Sequence, residues 1–210
     1  MNNLDILIER YPQLAVCKND VRASIDVLIA AYENGGKLLL CGNGGSCADC
    51  DHIVGELMKG FLKKRPIADE KRDEMKRLYA QLDDGILEKL QCGLPAISLP
   101  SITALGSAFN NDVDPDLTYA QSTFALGRKG DVLIAISTSG NAKNVAAAAK
   151  VARAVGMTVI ALTGANGGKL AALSDISVRV PETETYKVQE LHLPLYHAIC
   201  ADVEEHFFKS

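Results

Sequence analysis

The chain contains no tryptophan, and aromatic residues fill only 5% of its 210 positions. A core made from this composition has to rest on aliphatic side chains and alanine instead of large rings. No stretch of about 18 uncharged apolar residues occurs, which argues against a membrane-spanning helix. Residues 1–20 carry Asp5, Glu9, Arg10 and Asp20, and they hold no apolar run long enough for the core of a signal peptide. Basic charge is not in excess either: 22 Lys and Arg stand against 26 Asp and Glu, a net charge of −4. A nucleic-acid surface usually shows a basic patch or stripe, so no such partner is expected. A small anionic ligand stays open, because backbone N–H groups at a helix start bind phosphate without any local excess of Lys. Six cysteines (Cys17, Cys41, Cys47, Cys50, Cys92 and Cys200) are scattered along the chain. With no secretion signal they read as reduced thiols of a cytoplasmic protein, not as a disulfide framework.

What is present is an ordinary globular balance of 48% hydrophobic and 23% charged residues, enough for one compact domain over 1–210. Two helices are expected first, near Asn3 to Glu9 and Asn19 to Tyr32, within an N-terminal helical segment 1–36. Val21, Ile25, Val27, Leu28 and Tyr32 lie close to a helical stripe, and Gly35-Gly36 stops it. Short apolar runs follow at 37–41, 96–99, 132–136, 158–162 and 176–180, with an Ala-rich helix expected from Ala142 to Val155. Strands alternating with helices predict an α/β fold, a doubly wound parallel sheet of five strands covered on both faces. A long helix is expected from Thr185 to Phe208, with Thr183 or Glu184 as its cap. Residues 63–95 interrupt the rhythm. Lys63 to Gln91 are densely charged, with Met75, Leu78, Tyr79, Leu82 and Leu90 near helical spacing, so this segment reads as an inserted amphipathic helix with a solvated outer face.

Ligands of such folds bind at the carboxyl ends of the strands, where two Ser/Gly-rich loops are expected. Ser137-Thr138-Ser139-Gly140-Asn141 sets three hydroxyls between a buried strand and a helix start. Hydroxyls, free N–H groups and the positive helix end make a phosphate cradle; capping alone would need only one hydroxyl. Gly42-Asn43-Gly44-Gly45-Ser46 is neither a dinucleotide fingerprint nor a P-loop, but it can wrap a polar ligand. Further on, His52 and Glu56 are four apart and share one helical face; by themselves they could be metal ligands, a base with its partner, or a surface ion pair. The last helix offers Gln189, Glu190, His192 and His197, and helical phase favours Glu190 over Gln189 as the companion of His197. Pro194 can disturb that ladder. Cys47 and Cys50 have Cys-x-x-Cys spacing, but no second pair exists to complete a structural zinc site, so they read as packing residues. His206 reads as a solvated helix-end residue.

The ordered set runs Gly42-Asn43-Gly44-Gly45-Ser46, His52-x-x-x-Glu56, Asn111-Asp112, Gly130-Asp131-Val132-Leu133, Ile136 to Asn141, Leu162-Thr163-Gly164-x-x-Gly167-Gly168-Lys169, Arg179-Val180-Pro181 and Gln189-Glu190-x-His192 with His197. From Lys37 onward, apart from the insertion, this resembles the phosphoheptose isomerases of the SIS type. The resemblance implies an aldose–ketose isomerase that converts sedoheptulose 7-phosphate to D-glycero-D-manno-heptose 7-phosphate through an enediol, in heptose and cell-surface glycan biosynthesis. It implies a homotetramer with active sites between subunits. It implies sugar-phosphate contacts from Asn43, Gly44, Gly45, Ser46, Asn111, Asp112, Ser137, Thr138, Ser139 and Gln189. One zinc per subunit is implied on His52, Glu56, Gln189 and His197, with Glu56 and His197 as acid–base candidates; here the resemblance chooses Gln189 over Glu190. Two departures stand out: Ala142 replaces a Ser usual in the family and is followed by Lys143, and the Lys63–Gln91 segment is longer than in the shorter members. Another SIS sugar-phosphate enzyme, a lyase or etherase, could use the same Glu56 and His197. A non-catalytic sugar-phosphate-sensing module would not need His52, Glu56, Gln189 and His197 together.

Overall fold

The computed structural model describes residues 2–208. Ten α-helices and five strands alternate along them: α1 (Asn3–Arg10), α2 (Lys18–Glu33), β1 (Leu38–Cys41), α3 (Gly45–Met58), α4 (Asp69–Leu78), α5 (Asp84–Leu87), β2 (Ala96–Ser98), α6 (Thr103–Asp112), α7 (Thr118–Leu126), β3 (Val132–Ile136), α8 (Lys143–Ala154), β4 (Thr158–Thr163), α9 (Gly168–Leu173), β5 (Ile176–Arg179) and α10 (Thr185–Phe207). Short 3-10 turns sit at Pro12–Cys17, Leu99–Ser101 and Pro115–Leu117.

The strands form one parallel sheet in the order β2-β1-β3-β4-β5. Alternate residues of each strand feed opposite faces, as the two-residue period of a strand requires. Leu38, Leu40, Ile134, Ile160 and Leu162 join the helical layer of α1, α2, α3 and α10. Leu39, Cys41, Leu133, Ala135, Val159 and Ala161 pack with Val145, Ala148, Ala149 and Ala152 of α8 and Leu170 of α9. The small alanines let α8 lie close on the sheet without aromatic filling.

The expected doubly wound sheet is therefore present, and all five strands keep their expected positions to within one residue at each end. Three details differ. The long helix has Glu184 at its N-cap position, but no side chain caps it. Lys63 to Gln91 form two short helices, α4 and α5, not one; α4 buries no residue. Residues 103–126, for which the sequence carried no clear helical stripe, form α6 and α7, and α6 buries none of its side chains. Among the described residues no helix is long and apolar enough to cross a membrane.

Candidate active site

The chain runs from β1 outward to β2 and returns to β3 on the other side of β1. That reversal is a topological switch point, and the loops leaving the two flanking strands open a crevice there. Cys41 at the end of β1 pairs with Ala135 next to the end of β3, so the two Gly/Ser loops emerge side by side. Between them lies a cleft of about 360 Å³ lined by Asn43, Gly44, Gly45, Ser46, Ser137, Thr138, Ser139, Ala142, Thr185 and Gln189. Eight of the residues expected to hold the sugar phosphate are thus together. The first turns of α3 and α8 begin in these loops, with N–H groups that have no partner inside their own helices. Asn111 and Asp112 are not in this lining; they end α6, exposed, with the Asn111 amide donating to Asp112 at 2.8 Å.

One glycine is required by close approach. Gly140 has φ +66°, and a Cβ there would meet the Gly167 carbonyl oxygen at 2.0 Å. The Gly164–Gly168 turn after β4 therefore buttresses the Ser-rich loop from behind and does not itself line the cleft. A Cβ on Gly45 would lie 2.5 Å from Gln189 Nε2, so glycine lets the Gln189 amide rest on the start of α3.

The loops are also tied by residues that the sequence did not single out. Asn144 donates to Asn43 Oδ1 at 3.0 Å and accepts from Asn43 Nδ2 at 2.9 Å. Tyr119 donates to the Gly42 carbonyl at 2.8 Å and lies 3.2 Å from Asn43 Oδ1. The partners are 101 and 77 residues apart in the chain, so only the folded topology reveals them.

From the cleft, α3 and α10 run side by side in the same direction. Gln189 lies at Gly45, Tyr196 at Asp49 and His52, and Glu204 at Phe61 and Leu62 beyond the end of α3. At about 100° per residue, Gly45, His52 and Glu56 share one face of α3. His52 Nε2 lies 3.1 Å from Glu56 Oε1 and 3.4 Å from His197 Nε2, and donor atoms of the three residues fall within 4.8 Å of one another. Glu56 Oε2 faces Lys59 at 3.5 Å. Gln189, the fourth residue expected with a metal, stays at the other end of this strip against Gly45. Glu190, favoured by helical phase, lines a different groove with His197, Arg10, Phe61 and Leu193.

Burial, with the neighbouring His52, holds the His197 imidazole below its usual pKa, while Glu56 pulls the other way. Its ring is accordingly neutral at pH 7 and has a lone pair to offer. Two imidazoles and one carboxylate make the His₂Glu donor set of open catalytic zinc sites, so these residues fit a zinc ion. His192 does not belong to the cluster: it is wholly buried, near the Thr163 carbonyl, and burial drops its pKa to about 4. Burial raises the thiols of Cys47 and Cys50, as packing residues require; all six cysteines are free. His206 pairs with Glu33 at 2.8 Å at the end of α10.

Comparison with known proteins places the chain in a family. Residues 74–164 match the family profile described as SIS domain. The chain is 36% identical over 195 residues to the phosphoheptose isomerase of Rhodospirillum rubrum, covering 93% of this chain and 90% of that protein. The structure of the phosphoheptose isomerase from Neisseria gonorrhoeae is 32% identical, with a TM-score of 0.72 over 95% of this chain and 93% of that one. That of Francisella tularensis superposes with a TM-score of 0.76 at 28% identity, over 98% of this chain and all of the other.

Proposed function

The chain belongs to the phosphoheptose isomerases, and on that premise we propose that it interconverts sedoheptulose 7-phosphate and D-glycero-D-manno-heptose 7-phosphate in heptose biosynthesis for cell-surface glycans. The observation that carries this reading is the single strip from the Ser/Gly cleft along the α3–α10 groove to His52, Glu56 and His197. His52 lies seven residues beyond Gly45 along α3, about 10 Å. An extended sugar chain from C2 to a 7-phosphate spans roughly 9 Å. A phosphate in the cleft is therefore compatible with a reacting carbon near the imidazoles.

The phosphate would take hydrogen bonds from Ser137, Thr138 and Ser139 and from the backbone of the Asn43–Ser46 loop. Binding at this remote end holds the sugar in position. Ketose-to-aldose conversion removes a proton from C1 and returns one to C2. Glu56 is the candidate for the carbon proton, and neutral His197 serves the oxygens. His52, Glu56 and His197, with Gln189 after a side-chain shift, would hold one zinc per subunit. A zinc ion there would supply a Lewis acid that polarises the carbonyl and stabilises the enediolate.

Asn111 and Asp112 are proposed as substrate contacts completed in an assembly. Supporting this is α6, which ends in these two residues and buries no side chain of its own. The assembly proposed is a cytoplasmic homotetramer with inter-subunit sites, each chain one domain over 1–210 with the 63–95 helical insertion. Turnover of sedoheptulose 7-phosphate, followed by NMR with and without added zinc beside Glu56→Gln, tests the reading. Heptose 7-phosphate formation that drops at least 10³-fold in the variant, about 4 kcal/mol of barrier, is expected; no conversion by the parent protein contradicts it.

A further inference from the structure

We propose that Tyr196 and Asp49 form a relay that fixes the His52 proton on Nδ1, leaving Nε2 as a bare lone pair aimed at Glu56 and His197. Both are positioning residues that act through His52. The Tyr196 hydroxyl oxygen lies 2.9 Å from His52 Nδ1 and 3.2 Å from Asp49 Oδ1. A phenol has one proton to give, so its direction decides the tautomer of the ring.

Asp49 decides the direction. Its Oδ2 is buried and without a hydrogen-bond partner among the described residues, so the carboxylate relies on Oδ1. If Tyr196 gave its proton to His52, the phenol oxygen and Asp49 Oδ1 would face each other as two acceptors. With the proton given to Asp49, the phenol oxygen is free to accept, and His52 supplies the Nδ1–H. An Nδ1–H imidazole has no hydrogen on Nε2. Nε2 then meets the Glu56 carboxylate at 3.1 Å and His197 Nε2 at 3.4 Å, lone pair toward an acceptor. This costs less than the same clash at Asp49, because Glu56 has Lys59 at 3.5 Å whereas Asp49 Oδ2 has no partner among the described residues, and a cation relieves it.

Packing holds the relay in place. Tyr196 is 1% exposed. Its ring meets His52 edge to face at 5.5 Å between centroids and His197 at 5.0 Å. The phenol therefore has no room to swing away, and His52, exposed on its outer side, gains its orientation from the inner one. An outer partner on the second imidazole nitrogen commonly fixes both tautomer and ring direction of a metal-binding histidine. The consequence for metal binding rests on the zinc reading above; the tautomer does not.

The test is ¹⁵N NMR of the imidazole rings in the metal-free protein at mildly alkaline pH, with Tyr196→Phe and Asp49→Asn beside it. The parent protein is expected to carry the His52 proton on Nδ1. Tyr196→Phe removes one oxygen and is expected to shift the proton toward Nε2, where Glu56 accepts it. Asp49→Asn can donate to the phenol, turning the relay round, and is expected to do the same. Zinc affinity, by competition with a chelator, is expected to fall about 10–100-fold in both variants. An Nε2–H ring in the parent protein, or an unaltered Nδ1–H ring in Tyr196→Phe, overturns the relay. If the parent takes up no zinc, the metal reading fails, and the ring spectra still decide the relay by the same criterion.

Discussion

Asn43 and Asn144 meet amide to amide across the two loops of the cleft, so each spends its side chain on the other. Asn43 therefore shapes the cleft, and its proposed contribution to substrate binding runs through Asn144. Asn144→Ala should raise KM for the sugar phosphate roughly tenfold, about 1.4 kcal/mol, and leave kcat within a factor of about two or three. Steady-state kinetics checks the split; a fall in kcat at constant KM would assign Asn144 to the reaction itself. The residues that the sequence singled out sit in runs whose composition is unusual for a core or a surface, such as three hydroxyls before Gly140. Asn144, Tyr119, Asp49 and Tyr196 carry no such signal. Tyr196 lies in a largely apolar stretch and reads as core, which it is by burial. Its polar end matters only because α10 runs parallel to α3, and nothing local in the sequence states that.

The α3–α10 pair is the element that joins the Ser/Gly cleft to the His52, Glu56 and His197 cluster, and its far end is locked by charge. Arg65 and Glu204 are 0% and 1% exposed at 2.8 Å, and Glu204 also accepts from the backbone N–H groups of Phe61 and Leu62. Arg65 in turn donates to the carbonyls of Leu57 and Glu56, so the clamp reaches the backbone of the candidate base. Arg65→Ala would leave a buried carboxylate unpaired and should destabilise the protein by about 3–5 kcal/mol, read by urea unfolding. Burial alone would raise the Glu204 pKa; the two backbone donors and Arg65 outweigh it and hold the carboxyl below its ordinary value of 4.5. The stability this adds is present in full above 4.5 and is lost as pH falls through the lower folded value. Glu204→Gln should therefore flatten the acid side of the stability–pH profile, whereas an unchanged profile would remove Glu204 from acid lability. Legibility at this scale follows burial. β3 was readable to the residue because a strand buried on both faces is a plain apolar run. α6 and α7 were not, because α6 turns no apolar stripe toward the sheet and Pro115 separates it from α7.

For the whole molecule, the two cores on either face of the sheet account for the described helices except α4, α5 and α6, and of these α4 and α6 bury nothing. Near α6, Val113 and Phe124 are 64% and 66% exposed, more apolar surface than a solvated helix needs. The proposed tetramer puts such surface, with Asn111 and Asp112, against other chains. Light scattering on the purified protein should give four times the 22.5 kDa of one chain, and Phe124→Asp should lower that mass together with activity. A monomer with full turnover would detach assembly from the site.

The most direct measurement is NMR of sedoheptulose 7-phosphate turned over in D₂O by the parent protein and by Glu56→Gln. Transfer through an enediol by a solvent-accessible carboxylate predicts heptose 7-phosphate labelled with deuterium at C2, and loss of both product and label in the variant. Product formed at an undiminished rate by Glu56→Gln, or no product from the parent protein, would contradict the assignment of this strip as the active site of a phosphoheptose isomerase.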